Sequence, residues 1–281
     1  MTTVRIRHFS DPGCPFAFSA EPRLRRLEWL YGDQLAWESV MVVLSERPED
    51  YIEKGFTPEM QAAGMRKLAD AHGMPIDWRQ RERMPATLAA CRDIVATRLH
   101  APEAEAAILR RVRVLGMAGG LLDDPELLRR AAQEAGLDPA AVEGWRDDPA
   151  VEAALEADKG AARSPAPGAL ALDHKLAPAG DGRRYTCPSL ELSVDGDLVA
   201  VPGFQPTEAY ELAIAHLAPG LDRRADPESV SEVLAWAGFP LATAEVAAVC
   251  DAPIADVRAE LARGATFEPV GGDGYWSLSA A

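Results

Sequence analysis

Apolar side chains recur at alternate positions from Val4 to Phe9, and a period of two predicts a strand. Ser10-Asp11-Pro12-Gly13 breaks it, since Pro and Gly punctuate the chain and Asp favours a turn or a cap. From Cys14 the period lengthens: Phe18, Leu24, Leu27 and Leu30 fall on one helical stripe, which Gly32 ends. Leu35 to Leu44 then reads as a second, largely buried strand. Strand, helix and strand in this order form a βαβ unit, which is right-handed and parallel in nearly all folds.

A long stretch with little strand signal follows. Helices are predicted at Pro58–His72, Pro85–Leu99, Pro102–Met117, Pro125–Ala135, Pro139–Trp145 and Pro149–Ala161, several with Pro in the first turn. Ser164 to Arg184 is rich in Pro, Gly and Ala and reads as a surface loop. Ser189–Val194 and Leu198–Val201 flank Asp195-Gly196-Asp197, a strong hairpin signal, and Thr207–Leu217 is helical. After a linker at Pro219–Asp226 come three short helices (Glu228–Ala237, Thr243–Cys250, Ile254–Gly264). A hairpin, Thr266–Val270 with Tyr275–Leu278, closes the chain around Gly271–Gly274. Helices followed by a hairpin suggest a small winged-helix-like module. No internal repeat is evident.

Composition narrows the function. The 281 residues are 48% hydrophobic and 26% charged, an ordinary globular balance with enough chain for one large or two modest domains. No apolar run is long enough for a transmembrane helix. The N-terminus lacks the apolar segment of a signal peptide, so a cytoplasmic location is expected. Acids exceed bases by 15 charges, which disfavours nucleic acid and anionic membranes as partners. The winged-helix-like stretch from Ala225 to Ala281 has nine acids against Arg258 and Arg263, so it is expected to pack, dimerise or bind a partner rather than contact phosphate. Cys14, Cys91, Cys187 and Cys250 are too scattered for a disulfide framework, and without close-spaced ligands no metal site is expected.

Cys14 carries the chemistry. It stands between the end of an apolar strand and the first turn of a helix, where free N–H groups favour thiolate over thiol. Pro15 suits a first helical position. Asp11 is expected to cap the helix, and its charge opposes thiolate formation. His8 lies near Cys14 in sequence and is a candidate to tune the thiolate, though a solvated or core histidine is the commoner outcome. Cys91 and Cys250 sit among apolar neighbours and read as core thiols, and Phe18, Trp29 and Trp37 as core aromatics.

The segment from Phe9 to Leu27, with Cys14-Pro15-Phe16-Ala17 at its centre, resembles the active-site segment of the DsbA-like, FrnE-like branch of the thioredoxin superfamily. Tyr185 to Leu192 followed by Asp195-Gly196-Asp197 resembles its cis-proline loop and hairpin. The resemblance spans roughly residues 4 to 217. It implies an α/β thioredoxin-like fold (residues 1–57 and 164–218) with a large inserted helical domain (58–163), followed here by the winged-helix-like module (225–281). It implies that Cys14 is the attacking cysteine and that Pro188 is the cis-proline, with Pro15, Phe16 and Pro188 contacting substrate in the cleft beside the helical insert.

Where the family's oxidoreductases have a second cysteine, this chain has Ala17, so no internal motif disulfide can form. What remains is monothiol exchange with a small thiol such as glutathione or mycothiol, capture of a partner cysteine, or binding without turnover. If the fold holds, Cys187 lies beside Cys14 and either pairs with it or merely fills space beside Pro188. Three functions follow: a thiol–disulfide oxidoreductase acting on a protein or small-molecule thiol or disulfide, a non-catalytic protein-binding adaptor, and a glutathione-dependent isomerase, whose family has Ser at the position of Cys14. A homodimer is open.

Overall fold

A computed structural model describes residues 2–279. The central sheet has the order β2-β1-β5-β6, built from β1 (Val4–Ser10), β2 (Leu35–Met41), β5 (Ser189–Val194) and β6 (Asp197–Val201). β1 pairs parallel with β2 and antiparallel with β5, and β5 pairs antiparallel with β6. The parallel pair requires a crossover, supplied by α1 (Pro15–Ser19) and α2 (Glu21–Tyr31). The single helix expected from Cys14 to Gly32 breaks in two at Ala20, just before Pro22, whose missing N–H cannot continue a ladder. On one face Val4, Ile6, Leu190 and Leu192 bury against Leu24 and Leu27 of α2 and against Tyr210 and Ile214 of α11 (Thr207–Leu217).

The helical insertion runs through α3 (Glu49–Glu53), α4 (Pro58–His72), α5 (Leu88–His100), α6 (Glu105–Met117), α7 (Pro125–Glu134), α8 (Pro139–Trp145) and α9 (Pro149–Ala162). The carboxylates of Asp124, Asp138 and Asp148 cap α7, α8 and α9, each followed by Pro at the first helical position. α5 starts at Leu88 rather than Pro85. The N–H groups of Thr87 and Leu88 are drawn to the carbonyl of Ser45, which holds the preceding residues against the thioredoxin-like part. The second strand likewise ends at Met41 rather than Leu44. Val43 adopts a φ of 54°, which no strand accommodates, and Leu44 N–H turns to Asp11 Oδ2 at 2.8 Å.

The stretch read as a loop, Ser164 to Arg184, holds α10 (Pro167–Leu170) and the hairpin β3 (Leu176–Ala179) with β4 (Gly182–Tyr185). Its strands, Leu-Ala-Pro-Ala and Gly-Arg-Arg-Tyr, lack the β-branched residues that mark strands in sequence.

The C-terminal module consists of α12 (Val230–Ala237), β7 (Leu241–Ala242), α13 (Thr243–Cys250), α14 (Ile254–Leu261), β8 (Ala265–Val270) and β9 (Asp273–Leu278), with sheet order β7-β9-β8. It shares its core with the rest of the molecule. Trp29 and Leu30 of α2 pack among Val233, Leu234, Val246 and Trp276, while Phe18 packs with Met65 and Leu68 of α4 and with Tyr275. Buried Glu245 receives Arg110 of α6 at 2.7 and 2.8 Å, and Phe239 lies 4.7 Å from the same guanidinium. At the wing tip Gly271 (φ +58°) comes so close to the backbone that a Cβ there would stand 2.0 Å from the carbonyl oxygen of Ile76.

Candidate functional site

The chain leaves β1 at Ser10 and turns through Asp11–Gly13 before Cys14. Asp11 does not cap α1, which has no side-chain cap. Its carboxylate is fully buried and serves as a junction instead: Oδ1 accepts Gly13 N–H at 2.7 Å, and Oδ2 accepts Leu44 N–H and Thr87 Oγ1–H, both at 2.8 Å. One carboxylate thereby joins the cysteine turn, the end of β2 and the start of α5. Gly13 is tight against this junction, since a Cβ there would lie 2.7 Å from Thr87 Cγ2. Burial raises the Asp11 pKa, and the hydrogen bonds it accepts from Leu44, Thr87 and Gly13 oppose that rise.

Cys14 occupies the N-cap of α1 in extended geometry (φ −80°, ψ 112°), with Pro15 at the first helical position. The pairing of Phe9 with Ser189 brings the residues before β5 alongside it. Cys14 Sγ donates to the carbonyl oxygen of Cys187 at 3.3 Å, and the Cys187–Pro188 peptide bond is cis. Both cysteines carry free thiols and are buried together with Phe9, Ala17 and Tyr185. The Tyr185 ring stacks 4.2 Å from Phe9, and its hydroxyl donates to Glu191 at 2.6 Å, fixing this wall.

The two thiols are pushed in opposite directions. The Cys14 pKa is lowered, first by a hydrogen bond from the Cys187 thiol and further by the backbone N–H groups of Ala17 and Phe16; burial and the Asp11 charge oppose this. The Cys187 pKa is raised well above the ordinary thiol value, first by burial and then by its bond to Cys14 and the charge there. The opposed shifts make Cys14 the first of the pair to ionise.

Among the residues singled out in the sequence, Cys14, Pro15, Cys187 and Pro188 meet at this point. Ala17 is buried beside them and offers no sulfur. Phe16 is 49% exposed at the rim, its ring 6.2 Å from Phe204. His8 does not join them. It is buried, its Nε2 has no hydrogen-bond partner, and burial together with the Arg113 charge lowers its pKa to about 3, so it is a neutral core histidine. Cys91 is buried with its thiol 3.7 Å from Asp11 Oδ2, and burial raises its pKa far above the ordinary value. Cys250 lies in the distant module, its pKa pushed up to about 11 by burial.

Sequence reasoning missed Tyr51, Thr87 and Phe204. Burial and then the negative charges of Asp11, Cys14 and Cys187 raise the Tyr51 pKa, so its hydroxyl keeps its proton. None of the three lies in a repeating pattern; contacts distant in sequence bring them together. Among the described residues no group of three or more His, Cys, Asp or Glu side chains is arranged to hold a metal.

A four-stranded β2-β1-β5-β6 sheet, a cysteine at the start of the helix after β1, a cis-proline loop before β5 and a helical insertion define a thioredoxin-like protein with an inserted helical domain. The chain belongs to the DSBA-like thioredoxin domain family, whose sequence profile matches residues 5–166. Its fold is similar to that of the cytosolic disulfide reductase DsbM from Pseudomonas aeruginosa, at 17% identity and a TM-score of 0.53 over 76% of this chain and 100% of that one. DsbM has also been solved with glutathione, a structure this chain matches at 16% identity and a TM-score of 0.52 over 76% of this chain and 100% of that one. A probable DsbA oxidoreductase from Streptomyces coelicolor is similar at 19% identity and a TM-score of 0.55, covering 80% and 93% of the two chains. No curated protein sequence matches the chain.

Proposed function

We propose that the protein is a thiol–disulfide oxidoreductase in which Cys14 attacks and Cys187 resolves, replacing the motif cysteine that Ala17 lacks. The observation that carries this reading is the Cys14–Cys187 contact with its opposed pKa shifts: one thiol is set up as the nucleophile, the other as its proton-bearing neighbour.

The chemistry runs in two exchanges. Cys14 thiolate attacks one sulfur of a substrate disulfide, forming a mixed disulfide and expelling the other sulfur as a thiolate, which takes up a proton. The charge on Cys14 is now gone, and with it two of the causes that held the Cys187 pKa high. Cys187 then loses its proton and attacks Cys14 Sγ, forming a Cys14–Cys187 disulfide and releasing the second substrate thiol. The substrate gains two electrons and the protein dithiol loses them. Two equivalents of a low-molecular-weight thiol return the protein to the dithiol and leave as that thiol's disulfide. Glutathione or mycothiol suits this role, and the glutathione complex of the similar DsbM supports it. The name of that relative also favours a cytosolic role, and no helix among the described residues is long and apolar enough to cross a membrane. Pro15 and Phe16, which follow Cys14, and Pro188 of the cis bond are assigned to substrate contact.

Turnover of 2-hydroxyethyl disulfide with glutathione tests the proposal. Cys14→Ser should abolish activity, and Cys187→Ala should slow it and accumulate the Cys14 mixed disulfide. Full activity of Cys14→Ser would refute the reading, and absence of turnover in wild type would favour the adaptor.

A further inference from the structure

Beside the Cys14 rim the molecule has a second feature that catalysis at sulfur does not use. A groove of about 410 Å³ runs between three parts of the fold: α2 (Ser19 before it, then Pro22 and Arg23), the end of α4 (Ala71 and His72), and the C-terminal module (Ala244 to Ile254). Two of its lining residues, His72 and Arg23, touch Phe204, whose ring lies 4.8 Å from the His72 ring, 4.2 Å from the Arg23 guanidinium and 6.2 Å from Phe16 at the active-site rim.

Arg23 is half-buried and pairs with no carboxylate among the described residues; its one hydrogen bond there goes to the carbonyl oxygen of Ser19 at 3.2 Å. Nearly every other buried arginine here is matched by an acid, as Arg110 is by Glu245 and Arg113 by Glu21. Glu208 acts on Arg23 only through its field, and Asp251 stands on the opposite wall. Ser19 is fully buried, and its hydroxyl has no partner among the described residues although the residue lines the groove. A half-buried cation, an imidazole and an unsatisfied hydroxyl lining one groove form the complement of an anionic group with hydrogen-bonding oxygens.

We propose that this groove extends the Cys14 cleft and binds a carboxylate of a peptidic disulfide substrate through Arg23, with His72 and Ser19 beside it and the C-terminal module as its outer wall. The inference rests on Cys14 as the reacting sulfur. It gives the module a function that its acidity denies it on nucleic acid: the module shapes the substrate channel. The carboxylate can come from a glutathione-sized peptide or from an acidic side chain near the cysteine of a longer chain.

The test compares exchange at Cys14 with glutathione disulfide, with neutral 2-hydroxyethyl disulfide, and with the disulfide of an acidic decapeptide, in wild type, Arg23→Gln, Arg23→Lys and Ile254→Trp. The preference for glutathione disulfide over the neutral compound, as a ratio of kcat/KM, should fall about tenfold in Arg23→Gln, mostly through KM, with partial recovery in Arg23→Lys. Ile254→Trp, which narrows the outer wall, should slow the decapeptide and spare glutathione disulfide; a decapeptide rate left unchanged would assign the carboxylate to the small thiol alone. An unchanged preference in Arg23→Gln with normal neutral exchange overturns the groove proposal and leaves Cys14 chemistry standing. Failure of wild type to react with the neutral disulfide removes both.

Discussion

At the scale of single residues, Cys187 sets the character of Cys14. The Cys187 thiol is the foremost cause of the lowered Cys14 pKa. Hydrogen bonds to a charged group contribute about 1.5–3 kcal/mol, so Cys187→Ala should raise the pH midpoint of Cys14 alkylation by about one to two units, whereas Cys187→Ser, which keeps a donor, should raise it less. Iodoacetamide rates across pH read this directly; an unmoved midpoint in Cys187→Ala would assign the lowering to the Phe16 and Ala17 N–H groups. His8 offers a separate test. Its pKa is about 3 in the folded protein against an ordinary 6.5, so the unfolded chain binds the proton first as pH falls. Stability should be complete above pH 6.5 and decline below it, with a slope of up to about 1.4 kcal/mol per pH unit from this residue. Urea midpoints of His8→Phe should lose that part of the slope, and an identical pH profile would show that His8 is not buried neutral. Cys14 was legible because a cysteine between a strand and a Pro-started helix is a local pattern. The junction made by Asp11, and which of its possible roles His8 takes, were not, because both depend on contacts with residues far away in the chain.

Among elements, agreement between sequence and structure follows the strength of local chemistry. α4, α8, α11 and α13 begin and end where the periodicity places them, α4 and α8 helped by Pro at the first turn and a side-chain cap. Disagreements occur where tertiary contacts decide. The first turn predicted at Pro85 is given up so that Thr87 can reach Asp11 and Ser45. The β3–β4 hairpin forms from residues with little strand propensity, and β7 is only two residues long. The Asp11–Gly13 junction belongs to this scale. Gly13→Ala places a methyl 2.7 Å from Thr87 Cγ2, so something must shift, at a cost of roughly 1–3 kcal/mol. The same substitution should move Cys14 and lower its alkylation rate, while full stability and reactivity would mean that the loop yields freely.

The whole molecule is held together by contacts that cross its three parts, and the C-terminal module is integral to it. Glu245 is buried on the module and satisfied by Arg110 of the insertion, by Ala242 N–H and, at 3.6 Å, by Arg25 of α2. Removing one partner of such a pair leaves a buried charge, so Glu245→Gln should cost about 3–5 kcal/mol in urea unfolding. A loss under 1 kcal/mol would mean that Arg110 finds another partner or water. The resemblance to the DsbA-like branch made the sheet and the insertion legible at this scale. The packing of the module on α2 and α4 was not, since its contacts have no periodic trace in either segment.

The account turns on whether Cys14 and Cys187 form one redox pair, and a single measurement addresses that: reduced protein is mixed with one equivalent of glutathione disulfide, quenched with acid, and mapped by mass spectrometry. A peptide linking Cys14 to Cys187, with two equivalents of glutathione released, is the expected result. A stable glutathione adduct on Cys14 beside a free Cys187 would contradict the account and leave a monothiol site in which Cys187 serves only as a hydrogen-bond donor.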